Sequence, residues 1–539
     1  MGSAVVACLL LLFVKLVFSR LFLAFTQDSQ EPPPVDLSIP FISPILRMGW
    51  AGFAYYTKHR LEGTILLKLC LESTDRLLAS HLPIYTIRLP GIRLYVVNST
   101  SLVSAVQHHP RIFSFSPILA RVATNLIGAS EPGARILADD EENHGFVRRF
   151  HDFNHASLAS GPGLDALRTK IWRSISLSHS RKAIDSAPGC TRMYEWISRE
   201  VTMVTTDAVY GASQNPFRDP AIRVARREYQ SGMTRLMTGF IPSIVSKRPL
   251  CARKTLVHSF EKYYSDRGYQ NEEASPYIRD QYRIFSESGL SEADIAKTQA
   301  AFSIALLANT LSAAFWCVYH IFSDNNILQD CRGELHAALQ QNGARDGDDG
   351  LGDRLPLDLM LTMERSCPIL LSTFKETMRT HSMGTAVSQV VKDQMIDNRY
   401  LLRKGALVLI PAVVQHSDES IWSEDVNEFD HRRFIQETKE KSGSSANSKS
   451  RPSWNPAAYR VFGGGWNLCP GRHLVTSIVL GFVASVILNF DILPCSGHWD
   501  QPTVRNSNLS VMINEPDEDL NVELRYRKDE EVAAAACRP

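Results

Sequence analysis

Two long apolar stretches dominate the hydropathy pattern of this chain. Thr298–Ile321 is apolar on most faces at helical spacing, which predicts a helix at the centre of the fold. Leu474–Asn489 repeats that character just after a glycine-rich segment. Shorter helical patterns cover Thr205–Tyr210, Ala221–Thr238 and Ile369–Thr380. Ile84–Leu89 and Ile92–Val97 alternate around Pro90-Gly91 and predict a β-hairpin, and Arg399–Val413 holds a turn and an apolar run consistent with strands. Between these lie polar connections. Gln27–Pro34 is polar and then proline-rich and predicts a stiff hinge; 342–355 predicts a solvated loop; 437–453, rich in Lys, Ser, Gly and Asn, predicts a mobile insertion. Thr238–Val245 is apolar and broken by proline, and reads equally well as a buried turn or a lipid-facing one. The fold class expected is mainly α with a small β region, and no internal repeat is present.

A third apolar stretch, Ala4–Phe25, is interrupted by Lys15 and Arg20. As a helix it would span ~33 Å, about a bilayer core. Lys15 near its middle is costly there unless the side chain snorkels. A cleaved signal peptide would carry a basic n-region and a small-residue cleavage site, and neither is evident. The expectation is a single-pass anchor at residues 1–27, a hinge at 28–45 and one large domain at 46–539. The basic residues on the C-terminal side of the span place the body in the cytosol.

Composition narrows the field. The 539 residues carry 58 basic and 57 acidic side chains, so no global field points to nucleic acid. Ten cysteines are scattered singly, without zinc spacing, and read as reduced thiols in a reducing compartment. The sequons at Asn98 and Asn508 are expected to be unoccupied. Cys537 is third from the end and makes no lipidation motif.

One cysteine stands apart. Phe462-Gly463-Gly464-Gly465-Trp466-Asn467-Leu468-Cys469-Pro470-Gly471-Arg472-His473 places Cys469 between a glycine-rich loop and an apolar helix. With Pro470 at the first helical position, Cys469 sits where free N–H groups and the helix dipole favour a thiolate. A buried structural cysteine would fit the isolated residue as well. The loop resembles the cytochrome P450 ligand pattern Phe-x-x-Gly-x-Arg-x-Cys-x-Gly at Phe462, Gly465, Cys469 and Gly471, with Asn467 where the family usually has arginine.

Two further motifs resemble the same family. Glu376 and Arg379 form a Glu-x-x-Arg on one helix face. Phe429–Phe434 is similar to Phe-x-Pro-x-Arg-Phe, with His431 in place of proline and Arg433 as the arginine. Cys469 follows Glu376 by 93 residues, with Arg433 between them. The resemblance implies a cytochrome P450 fold in which Glu376, Arg379 and Arg433 form an ionic triad beneath the Cys469 loop. It also implies haem b, iron protoporphyrin IX, ligated by Cys469 and contacted by Phe462, Gly465, Asn467 and Gly471. A thiolate-ligated haem favours O–O cleavage.

On the long helix, Asn309-Thr310 stands where many relatives have an acid and a threonine, and the resemblance places both at the oxygen site. Their hydroxyl and amide groups could equally be satisfied by backbone bonds within the helix. Ala308-Asn309-Thr310 with Phe315-Trp316 resembles the branch of sterol 7α- and 12α-hydroxylases and prostacyclin synthase, and the Cys-Pro-Gly-Arg-His loop resembles fungal biosynthetic members. The implied activity is insertion of one atom of O2 into an apolar substrate: a sterol, a terpenoid or another secondary metabolite. Ser382–Val387 is expected to line the pocket. No dinucleotide fingerprint is present, so electrons are expected from NADPH through a separate reductase at the endoplasmic reticulum membrane. The altered Asn309 and Asn467 positions leave one alternative, an isomerase or dehydratase acting on a peroxide; a haem-binding protein without turnover is a second, independent one.

Overall fold

The computed structural model describes residues 14, 17–35, 39–51, 55–56, 82–141, 145–178, 189–238, 246–341, 356–435, 455–504 and 511–527. The expected turn at 239–245, the loop at 342–355, the insertion at 437–453 and the sequon at Asn508 lie outside them. The architecture is mainly helical with small sheets. The helices include α1 (Val17–Thr26), α2 (Thr100–Gln107), α3 (Phe146–Ser157), α4 (Met193–Tyr210), α5 (Glu292–Ser323), α6 (Pro368–His381) and α7 (Arg472–Asn489).

The predicted hairpin forms. Strands β1 (Ile84–Leu89) and β2 (Ile92–Val97) pair antiparallel from Ile84↔Val97 to Leu89↔Ile92, with Gly91 in the left-handed region (φ +69°) at the turn. They join β3 (Phe113–Ser114), β5 (Thr385–Val390) and β8 (Leu407–Pro411) in one sheet, in the order β1-β2-β8-β5-β3. A second sheet runs β4 (Cys190–Arg192), β10 (Asn521–Tyr526), β9 (Phe490–Pro494), and β6 (Gln394–Ile396) pairs with β7 (Tyr400–Leu402).

Helix α5 is the axis of the molecule. Ser291 caps it by accepting from the Asp294 N–H, and Glu292 and Asp294 place negative charge in its first turn. Its faces meet α4, α6 and α7, and Leu307, Leu311, Phe315 and Trp316 are almost wholly buried. Helix α7 is apolar all round and equally buried. Both are long and apolar enough to cross a membrane, but burial inside the protein accounts for that composition.

Three expectations need correction. The helical pattern at Ala221–Thr238 is interrupted: one helix ends at Ser231, another starts at Met233, and Gly232 separates them. A side chain there would collide with Pro249, so the close approach of a neighbouring helix fixes the break. Helix α7 begins at Arg472, with Gly471 rather than Cys469 at its cap, so Pro470 lies in the preceding turn. The cysteines are not all reduced: Cys190 and Cys495 form a disulfide across the second sheet, 305 residues apart in sequence. The pairing of β4 and β9 with β10 brings the two thiols together, which no local spacing reveals.

The segment after α1 is strapped to the first sheet. Thr86 donates its N–H to the Pro33 carbonyl and its hydroxyl to the Pro32 carbonyl (2.6 Å), and the Val35 N–H returns to the Thr86 carbonyl. The buried carboxylate of Glu31 accepts from Tyr95 Oη (2.8 Å) and pairs with Arg93 (3.1 Å). Asn98, at the end of β2, is buried and donates to the Leu82 carbonyl, so this sequon offers no free amide to glycosylate.

Candidate haem-thiolate site

The three separated motifs converge. On α6, Arg379 grips Glu376 through two parallel bonds, Nε to Oε2 and Nη2 to Oε1, both 2.8 Å. Arg433 adds Nε to Glu376 Oε1 at 3.0 Å. Glu376 is completely buried and Arg379 nearly so, and such a pair holds only when the remaining donors are also engaged. Arg379 also donates to the His416 and Val426 carbonyls, Arg433 to the carbonyls of Trp422, Asp425 and Glu428, and the Asp430 N–H donates to Glu376. His431, standing where the family has proline, is tied instead to Asp330 at 2.7 Å.

The triad reaches the cysteine loop through His416. Its carbonyl accepts from Arg379, and its ring Nε2 accepts the Arg460 N–H at 2.9 Å, two residues before Phe462. Burial and the Arg379 charge push the His416 pKa down to about 3, so the ring stays a neutral acceptor. From there the loop closes on itself. The Cys469 N–H donates to the Phe462 carbonyl (2.8 Å), Gly463 N–H to the Arg460 carbonyl (3.0 Å) and Leu468 N–H to the Gly465 carbonyl (3.2 Å). Gly463 and Gly465 occupy left-handed conformations (φ +75° and +61°), and a side chain at Gly463 would press on the Asn467 carbonyl.

Cys469 keeps partial exposure, whereas Cys317, Cys331 and Cys367 are buried. Burial pushes its thiol up; the backbone N–H groups of Gly471 and Arg472 and the Arg472 charge pull the other way. Those inward N–H groups, on a sulfur that keeps partial exposure, suit a thiolate that faces a flat metal complex. The donor set therefore fits haem. Phe462 packs partly buried beside the loop, Gly465 is exposed, and Asn467 is exposed with no side-chain hydrogen bond among the described residues.

The two residues expected at the oxygen site separate. Asn309 Oδ1 accepts two backbone N–H groups, from Met512 (2.9 Å) and Ile513 (3.2 Å), and so clamps a distant segment onto α5. Trp316 reinforces the clamp by donating to the Asn514 carbonyl (2.9 Å). Thr310 is buried and its hydroxyl bonds back to the Leu306 carbonyl (3.0 Å), the in-helix alternative. A further feature of α5 has no signature in the sequence. Ala301, Phe302, Ala305, Leu306 and Asn309 keep accessible surface in the middle of a helix that is otherwise packed. Their spacing puts them on one face, so that face looks onto open space.

A protein with this fold, a sulfur presented this way and a buried Glu–Arg–Arg triad is a haem-thiolate enzyme. The sequence profile of Cytochrome P450 matches residues 70–522, and the chain belongs to that family. It is 30% identical over 512 residues to the cytochrome P450 monooxygenase nodJ of Hypoxylon pulicicidum, covering 93% of this chain and 91% of that one. It is similar at 22% identity to the 25-hydroxycholesterol 7-alpha-hydroxylase of Rattus norvegicus, covering 78% and 97%. Among solved structures, a cytochrome P450DA haem domain superposes with a TM-score of 0.62 at 16% identity over 83% of this chain and 91% of that one. The chain is thus a cytochrome P450 monooxygenase, an oxidoreductase that incorporates oxygen, with haem b as cofactor.

Proposed function

We propose that this enzyme oxygenates a rigid, largely apolar substrate of the sterol, terpenoid or polycyclic secondary-metabolite type, at a membrane surface. The observation that carries this reading is the open stripe of α5: four of its five members are apolar, and Asn309, the fifth, commits its oxygen to the Met512 and Ile513 N–H groups. The sterol in the name of the rat relative is in keeping with that lining.

Cys469 would ligate the haem iron, with Phe462, Gly465 and Gly471 against the ring; bound there, haem supplies the activation of O2. The protein residues do the rest. The triad holds the loop rigid through His416. The stripe and the 511–514 segment exclude water and orient the substrate. Asn309 and Thr310 carry no acidic proton, and the Thr310 hydroxyl is donated to the Leu306 carbonyl, so a proton reaching the oxygen site comes through water rather than from a carboxylic acid on this stretch of α5. Electrons come from NADPH through a separate flavoprotein reductase.

The membrane part of the proposal rests on exposed apolar side chains. Phe18, Leu21, Phe22 and Phe25 of α1 are solvent-facing, Phe25 at 88% exposure, and the Phe22 ring meets Phe41 at 5.7 Å beside exposed Ile39, Ile42 and Leu46. An apolar patch of this kind marks a surface that meets lipid or a partner. We place it on the cytosolic face of the endoplasmic reticulum.

The test is the full chain with an NADPH-dependent reductase, beside Cys469→Ser. A thiolate-type Soret band of the reduced carbon monoxide complex, absent in the variant, together with NADPH-dependent addition of one oxygen atom to a polycyclic substrate, is the expected result. Turnover of a hydroperoxide without NADPH, and no oxygenation with it, would replace this reading by the isomerase.

A further inference from the structure

Arg460 is a buried cation without an anion. It is 4% exposed, and no carboxylate pairs with it among the described residues; burial alone acts on it and pulls its pKa down to about 10. Its Nε has no hydrogen-bond partner among the described residues. With the Gln107 amide oriented so that oxygen faces the guanidinium, Nη1 and Nη2 both donate to that neutral oxygen, at the C-terminal end of α2. A guanidinium held this way in a low-dielectric setting is strongly unfavourable unless an anion arrives.

Its position says where the anion comes from. The Arg460 side chain lies against the backbone of Gly464: a Cβ there would overlap both Arg460 and Gln107, which accounts for glycine at that position. Gly464 is five residues before the ligand Cys469, within the loop that faces the cofactor. The other guanidiniums around this loop are already committed. Arg379 and Arg433 hold Glu376; Arg148 pairs with Asp152 and lies 4.6 Å over the Trp466 ring; Arg472 donates to the Cys469 carbonyl. Asn467 carries no charge and is exposed. Haem b brings two carboxylates of its own, and a planar fork of N–H donors suits a carboxylate.

We propose that Arg460 receives a haem propionate in this chain, supplying from beneath the loop the charge that Asn467 does not supply from within it. The inference rests on the haem-thiolate reading of the Cys469 loop. Arg460 is in these terms a cofactor-positioning residue, and Gln107 holds its fork in place.

The experiment uses the full-length holoprotein and reads the propionates directly. Resonance Raman spectra of wild type, Arg460→Lys, Arg460→Gln and Arg460→Gln/Asn467→Arg are recorded, with haem transfer to apomyoglobin timed for each. Arg460→Gln is expected to shift the propionate-bending band and to speed haem loss about tenfold, the scale of one charge-assisted bond. Asn467→Arg in that background is expected to slow the loss again, because it returns a cation to the cofactor; a purely structural role for Arg460 predicts no such rescue. An unchanged propionate band in Arg460→Gln, or no rescue by Asn467→Arg, overturns the proposal. If Arg460→Gln fails to fold, Arg460→Lys decides: a shifted band supports the assignment, and a wild-type band refutes it. A wild type that lacks the thiolate-type carbon monoxide band would overturn the haem-thiolate reading instead, so the two failures are distinguishable.

Discussion

The side-chain oxygen of Asn309 serves two backbone N–H groups, those of Met512 and Ile513, at the point where the C-terminal segment meets the central helix. Asn309→Ala would leave both without their acceptor, at a cost of about 1–3 kcal/mol each where water cannot replace it. Asn309→Asp keeps both acceptor lone pairs. Thermal melts of the holoprotein should therefore show a clear loss for alanine and a small change for aspartate, while substrate affinity falls in the alanine variant. Equal melting of both variants with wild type would mean the clamp carries no stability. The residue itself is legible from the Ala-Asn-Thr pattern, but its partners lie more than 200 residues away and carry no motif. Three histidines, His416 buried and His320 and His381 largely so, set a second residue-scale expectation. His320 and His381 share an Nε2–Nε2 hydrogen bond of 2.8 Å, stacked on Phe429 and Trp316 respectively, and His416 accepts from Arg460. Burial pushes His320 and His416 down to about 3 and His381 well below its ordinary value. The unfolded chain binds protons at these rings near pH 6.5 and the folded one does not. Their contribution to stability is complete above about pH 6.5 and declines as pH falls from there toward 3. Urea midpoints should fall from pH 7 to pH 5, and replacing His320 by Gln should flatten that slope; a slope unaffected by any of the three replacements would show that carboxylates dominate instead.

At the level of elements, the loop, the triad and α6 behave as one unit. Glu376→Gln removes the charge that two guanidiniums share, and breaking a buried pair on one side costs about 3–5 kcal/mol. The variant should accumulate as haem-free or aggregated protein; a Glu376→Gln holoprotein with a wild-type Soret band and melting point would show that the triad does not brace the loop. The motifs that compose this unit are short, have fixed spacing and contain ionisable residues, so they are readable from sequence. The helix start at Arg472 is less so, because Pro470 suits a first helical position and no local signal marks the extra turn through Pro470 and Gly471. The Cys190–Cys495 disulfide is equally hidden, since only strand pairing through β10 brings the thiols together. Cys495→Ser should lower the melting point by the equivalent of about 2–4 kcal/mol, and mass spectrometry after thiol alkylation without reductant should find the Cys190–Cys495 bond intact.

Across the whole molecule, the mainly helical class, the hairpin, the central helix and the cysteine loop are legible in the sequence, because each leaves a periodic or compositional trace. What stays hidden is tertiary. The segment Gln27–Pro34 reads as a hinge by its prolines, yet its carbonyls and Glu31 are engaged by Thr86, Tyr95 and Arg93. Proline-rich stretches leave carbonyls unpaired, which makes them as suited to docking on a sheet edge as to spanning a gap. The consequence is that α1 leaves the body in a fixed direction.

The threading of β10 between β4 and β9 has a bearing on how the enzyme is made. A ribosome delivers the chain from the N-terminal side, and β4 is finished about 330 residues before its partner strand exists. At 5–20 residues per second that is a wait of roughly 15–65 s. During it, the Asn309 oxygen and the Trp316 N–H also lack the 512–514 backbone that later engages them. The nascent protein therefore cannot seal its own pocket until translation is nearly over, and between the synthesis of Cys469 and that of Met512, roughly 2–9 s at the same rate, haem has its ligand and an open pocket to enter. A stop codon at about position 505 should accordingly abolish haem retention, whereas one after Arg527 should spare it.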